Sequence, residues 1–315
     1  MKNNLGRSFL TTFLLVPLLY LTIHTGDVTL IGHFSTTRTC KSCDIYDVRE
    51  TSEFDFKCLQ MKFVPRTPIC IYPVKEDIYI SRLIVNTGMW EKKEVMWTQD
   101  VLRTNSDMGL IDIGTNIGVF SLTVAAMGHN VLSVEPKLEN ARRFHKAVKL
   151  GHLEDRVTLV TNAVNDKTGN CGLDVNPNNQ GNIKIKDIGS NEQLNGTDKK
   201  KYTTCITIND LVPLCRFKKA FMKMDIEGNE HKALSAAGQL FHSIDIRYIV
   251  MEWHFMRQLL ADPSSKDCML VNRMIAFLEE RDYVPMTFDD ALLNKSSWNS
   301  WPNVITWRKK TTINI

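Results

Sequence analysis

Five groups of polar residues punctuate the apolar runs of this 315-residue chain: Asp112, Gly114, Asn116 and Gly118; then Glu135; then Asn162 with Ala163; then Lys223, Asp225 and Glu227; then Glu252 with His254. The first lies in M-G-L-I-D-I-G-T-N-I-G, from Met108 to Gly118, where an apolar run of strand length meets helical periodicity. This reads as strand, tight turn and helix N-terminus. Its glycines permit left-handed backbone or close approach of a ligand, and the helix start offers unpaired N–H groups. A dinucleotide site would show G-x-G-x-x-G, whereas this chain has G-T-N-I-G with an acid two residues before the first glycine. An acid there repels a pyrophosphate and attracts a cation, which points to the amino group or sulfonium of S-adenosylmethionine. Glu135, 23 residues beyond Asp112, is placed to take both ribose hydroxyls. The alternative for Glu135 is a cap on the following helix.

Along an extended strand, residues 223, 225 and 227 share a face, and Glu252 and His254 share one on the expected neighbouring strand. They can converge. Moving a methyl group from a sulfonium to a hydroxyl requires donor and acceptor in line and removal of the hydroxyl proton. Asp225 or His254 is expected as base, with Lys223 and Glu227 orienting and Glu252 completing the set. A satisfied core histidine is the alternative for His254. Asp225, Glu227 and Glu252 could also hold Mg²⁺, but a divalent metal is not expected. His231 is expected on the surface.

The elements that must position these residues follow a regular pattern from Met108 onward. We expect strands at 108–113, 130–134 and 156–161, with helices between them reaching Met127 and Gly151. Further strands are expected at 204–208, 221–224, 246–251, 283–286 and 303–307, and helices at 230–240 and 266–280. Strand and helix in alternation mark a parallel sheet with crossovers. In such sheets, ligands sit beyond the carboxyl ends of the strands near the point where strand order reverses, which is where all five polar groups fall. The Asn-, Gly- and Asp-rich stretch within an insertion of about 165–203 reads as a surface hairpin. Residues 27–107 read as a stem and cap, with short helices near 77–85 and 95–102 and Trp90 or Glu91 as candidate substrate contacts.

Taken together, D-I-G-T-N-I-G-V-F-S-L, V-E-P, the Asn-Ala-Val after the third strand, F-M-K-M-D-I-E-G-N-E and V-M-E-W-H resemble the FkbM-like family of S-adenosylmethionine-dependent methyltransferases. The resemblance runs from about Ile78 to Met286. It implies a Rossmann-like class I methyltransferase fold, with a mostly parallel seven-stranded sheet and helices on both faces, and O-methylation as the usual reaction. It places Asp112, Gly114, Asn116 and Gly118 around the methionyl part of the cofactor, Glu135 at the ribose, and Asn162 with Ala163 near the adenine. Lys223, Asp225 and Glu227 then lie beside the transferred methyl.

With 43% hydrophobic and 23% charged residues the chain can bury a full α/β core. Its net charge of +4 is spread without a basic block, so nucleic-acid binding is not indicated. Lys2 and Arg7 precede an apolar run from Phe9 to Ile23 without a small-residue cleavage site, so residues 1–26 are expected to be a signal-anchor, with a cleaved signal peptide as the alternative. That orientation puts residues 108–315, the methyltransferase domain, in the Golgi or ER lumen, or outside the cell if the segment is cleaved. Eight cysteines and two sequons, Asn195-Gly-Thr197 and Asn294-Lys-Ser296, agree with that compartment, although Cys40-Lys-Ser-Cys43 could also be a metal knuckle or redox pair. The expected acceptor is a hydroxyl of a glycan, with a lipid or small molecule as alternatives. A nucleotide-binding oxidoreductase lacks its diphosphate loop. A cofactor-binding but inactive module would keep Asp112 and Glu135 without the acid/base set at 223–252.

Overall fold

The computed structural model of the chain describes residues 40–176, 179–188 and 202–313. The expected anchor and the sequon at Asn195 lie outside them. Among the described residues no helix is long and apolar enough to cross a membrane. In chain order the elements begin with β1 (Ile45–Tyr46), β2 (Cys58–Gln60), β3 (Pro68–Cys70), α1 (Ile80–Thr87), α2 (Lys92–Arg103), β4 (Met108–Ile113), α3 (Val119–Ala126), β5 (Val131–Val134), α4 (Leu138–Gly151) and β6 (Val157–Val160). Then come β7 (Ala163–Val164), β8 (Gly169–Asn176), β9 (Asn179–Asp187), β10 (Tyr202–Ile206), β11 (Lys219–Met224), α5 (Glu230–Ser235), α6 (Gly238–Ser243), β12 (Asp245–Glu252), α7 (His254–Leu260), α8 (Lys266–Glu279), β13 (Tyr283–Met286) and β14 (Val304–Lys309).

The main sheet has the order β1-β6-β5-β4-β11-β12-β14-β13. Its centre, β6 to β12, is parallel; at one edge β14 runs antiparallel between β12 and β13, so that β13 runs with the centre, and at the other edge β1 runs antiparallel. The sheet is therefore mostly parallel, as expected, but has eight strands where seven were expected. The extra strand is the short β1, which Asn162 holds in place by accepting from the Asp44 N–H at 2.6 Å and donating to the Asp44 carboxylate. Strand β4 is buried along its whole length, as a strand covered on both faces must be. Met108 and Leu110 join one apolar cluster with Ile84, Leu102, Leu122 and Phe144, while Ile111 and Ile113 join another with Leu234, Leu240, Met256 and Val271. Helices α1–α4 thus cover one face and α5–α8 the other.

Two local departures have identifiable causes. The helix expected over 230–240 is two short ones, because the Asn209 carboxamide takes the Leu240 N–H at 2.9 Å and Gly238 favours a break. His254 does not continue the strand of Glu252: Asn303 carbonyl oxygen accepts from the Trp253 and His254 amides, and the chain turns into α7. Cys40–Cys43, Cys58–Cys70 and Cys171–Cys205 are disulfide-bonded, so the first pair is not a metal knuckle.

Candidate active site

Strand order reverses between β4 and β11, and the carboxyl ends of these two strands press together. A Cβ at Gly114, whose φ is +85°, would stand 1.9 Å from the Asp225 carbonyl oxygen. A Cβ at Gly118, with φ +96°, would stand 2.2 Å from the Phe144 ring. Both positions need glycine, but for packing of the protein on itself rather than for contact with a ligand. Above this junction lies a cavity of about 350 Å³, within the size range of small-molecule and cofactor sites. Gly114, Asn116, Glu135, Asn162, Ala163, Lys223, Asp225, Glu227, Glu252 and His254 all line it, so most of the residues singled out by sequence converge. Trp90 and Glu91 stand on its wall.

Asp112 and Gly118 are not among the lining residues. Asp112 is fully buried below the floor, its Oδ2 accepting from Thr115 at 2.5 Å and Ser121 at 2.6 Å. Its Oδ1 lies 3.9 Å from Lys223 Nζ. It acts as the counter-charge that seats Lys223, which also donates to the Gly114 carbonyl oxygen at 3.1 Å and lies 3.3 Å from Asp225 Oδ2. Burial alone would lower the Lys223 pKa, yet Asp225, Asp112 and Glu91 hold it above its ordinary value. Lys223 stays charged.

At one corner of the cavity Glu135 is wrapped in donors. Its Oε2 accepts from the Asn116 N–H at 2.9 Å, and its Oε1 from the Lys137 N–H at 3.0 Å and Asn140 Nδ2 at 3.1 Å. Burial still pushes the carboxyl up to about 7 against those three bonds. One of the donors is the amide of Lys137, the residue before α4, and the start of α4 has no side-chain cap hydrogen bond, so the capping alternative is not met. The hairpin β8–β9 closes over this corner: Gln180 bonds Lys137, and a Cβ at Gly181 would lie 2.4 Å from Asn116 Nδ2. Asn179, Asn182 and Ile183 join the lining, a role sequence did not assign to a stretch that read as surface insertion. Asn162 is committed to Asp44 and to the Thr204 carbonyl oxygen, so it holds chain segments together behind the wall it lines.

The opposite corner is crowded with acids. Burial and the neighbouring Asp225 raise Glu227 to about 8 and Glu252 to about 9, and burial raises Glu91, opposed by Lys223, to about 8. The Glu252 Oε2 is buried with no hydrogen-bond partner among the described residues. His254 shares the wall from the first turn of α7, next to Gln258. Among the described residues no cluster of three His, Cys, Asp or Glu side chains is arranged to hold a metal. His231 is buried rather than exposed, because α5 packs on α8 and brings Asp267 to 3.4 Å from its Nε2.

A sheet with reversed strand order and a polar cavity at the reversal defines a Rossmann-like α/β enzyme of the cofactor-binding kind. Residues 112–285 match the family described as Methyltransferase FkbM domain, and the chain belongs to that family. Among solved structures it is similar to methyltransferase FkbM from Methylobacillus flagellatus KT, with 15% identity, a TM-score of 0.38, and coverage of 64% of this chain and 43% of that one. It is also similar to the O-methyltransferase from Bacillus cereus in complex with SAH, with 11% identity, a TM-score of 0.41, and coverage of 70% and 82%. For TomG from Streptomyces achromogenes, in complex with SAM, the figures are 10%, 0.40, 70% and 79%. A comparison with curated protein sequences gave no match.

Proposed function

We propose that the chain is an S-adenosylmethionine-dependent O-methyltransferase whose acceptor is a hydroxyl. The observation that carries this reading is the buried Glu252 Oε2, without a donor among the described residues, on the wall of a cavity whose other corner presents Glu135. An orphaned carboxylate oxygen is costly unless a ligand satisfies it, and an acceptor hydroxyl would do so. S-adenosylmethionine, when bound, supplies a methyl group on a sulfonium cation. The residues present fit it on two counts: the cavity volume suits such a molecule, and the far corner gathers acids whose ionised forms a cation would favour. The Gly114–Asn116 turn and Glu135 would hold it.

Asp225 is paired with Lys223 at 3.3 Å, so in our reading it orients and Glu252 removes the proton from the acceptor hydroxyl onto Oε2. Raised to about 9, Glu252 acts as base only in its ionised form, which a sulfonium cation bound beside it would favour. Glu227 and His254 border the same space. The disulfides support an oxidising compartment, and with the basic and apolar N-terminus they favour the secretory pathway, where a glycan hydroxyl is the economical acceptor. The test is to incubate the purified chain with S-adenosylmethionine and panels of glycans, lipids and small alcohols while following S-adenosylhomocysteine release. Release with a hydroxyl acceptor is expected. Cofactor binding without turnover on any acceptor would refute it.

A further inference from the structure

The turn that carries Asp225 and Glu227 is conformationally unusual. Glu227 has φ +56° and Gly228 φ +95°, so a non-glycine residue sits in left-handed backbone at the cavity wall. Such a residue persists only when its surroundings enforce it. The enforcing group is Glu230, in the first turn of α5 and fully buried. Its Oε1 accepts from the Ile226 N–H at 2.9 Å, the amide lying between the two wall carboxylates. Its Oε2 is buried with no hydrogen-bond partner among the described residues. A carboxylate this buried is unfavourable for stability alone, and uncharged glutamine would still accept from the Ile226 amide.

We infer that Glu230 is a positioning residue: it pins the turn bearing Asp225 and Glu227 and places a negative charge behind Glu252. This rests on the reading of Glu252 as base. Burial pushes Glu230 up to about 7 against the pull of the Ile226 amide, so near neutral pH it is partly ionised. The charge of Glu230 acts on both Glu227 and Glu252 in the same upward sense as Asp225. The other charged and titratable groups facing this pair are Lys223 and Asp225 at the end of β11, Glu91 and Glu94 from α2 and its approach, Lys184 of the hairpin and His254 of α7. Sequence placed Glu230 inside a family-like motif but gave it no task.

The test compares Glu230→Gln, which keeps an acceptor for the Ile226 amide without the charge, with Glu230→Ala, which keeps neither. Carboxyl titrations of Glu227 and Glu252 are read by ¹³C NMR, which needs neither cofactor nor acceptor, so a failure of the methyl-transfer reading is seen separately as absent turnover in the unmutated chain. In Glu230→Gln both midpoints should fall by at least about 0.5 pH unit, with the acid limb of the rate profile following. In Glu230→Ala kcat should drop at least about 10-fold with cofactor KM little changed. Should either variant fail to fold, the unmutated chain decides: the Glu252 curve must be broadened and inflect at the midpoint of Glu230. Unmoved midpoints in folded Glu230→Gln, or an independent single-site Glu252 curve, would overturn the inference.

Discussion

The two corners of the cavity treat a buried carboxylate in opposite ways. Glu135 is enclosed by Asn116, Lys137 and Asn140, three donors supplied by the protein itself. Glu252 has a buried oxygen without any donor among the described residues, and it shares its corner with Glu91, Asp225 and Glu227 around the Lys223 ammonium, with Lys184 facing Glu227 from the hairpin. The first corner is complete in itself and can act as a rigid seat. The second is electrostatically unfinished, and a cation together with a hydroxyl would finish it. In the proposed function, binding and chemistry fall at different ends of one cavity.

The sharpest way to break that contrast is to neutralise one carboxylate at each end. Glu252→Gln should lower kcat by about 100-fold or more while cofactor affinity changes little, measured by single-turnover kinetics and calorimetry. Glu135→Ala should do the reverse, weakening cofactor binding about 10-fold with a smaller change in kcat at saturation. Equal effects of the two substitutions on both quantities would erase the distinction.

A smaller effect should appear in stability. Glu91, Glu227, Glu230 and Glu252 are raised to about 8, 8, 7 and 9, above the value of an unfolded glutamate. Below the unfolded value both states are protonated and nothing is lost. As pH rises through the window between about 4.5 and the folded values, the unfolded chain ionises first and folding is weakened. The ligand-free chain should therefore melt several degrees lower at pH 8.5 than at pH 6, by about 5 °C as an order of magnitude, in differential scanning calorimetry. In Glu252→Gln that slope should flatten.

How far the sequence reached can be argued along the same division. Strands Met108–Ile113 and Tyr283–Met286 lie where they were expected, because periodicity and flanking turns are local signals. The strand-end polar residues converge because parallel topology forces their ends together. Gly114 and Gly118 were legible as obligatory glycines, but what crowds them, the Asp225 backbone and the Phe144 ring, is distant in the chain. The same holds for the misplaced residues. Asp267 buries His231, Asn303 turns His254 into a helix, and the Lys137–Gln180 bond carries a polar hairpin over the cofactor corner. Such contacts are set by tertiary packing and leave no periodic trace.

The central claim is that the unfinished corner is a cation site next to a complete seat. Titration calorimetry of S-adenosylmethionine and of S-adenosylhomocysteine at pH 6.5 and 8.5 tests it most directly, because the two share every group except the charged sulfonium and its methyl. As the corner carboxylates ionise, affinity for S-adenosylmethionine should rise with pH by several-fold more than affinity for S-adenosylhomocysteine, and its binding should release protons. Identical pH dependence for the two ligands, or no binding of either, would contradict the account.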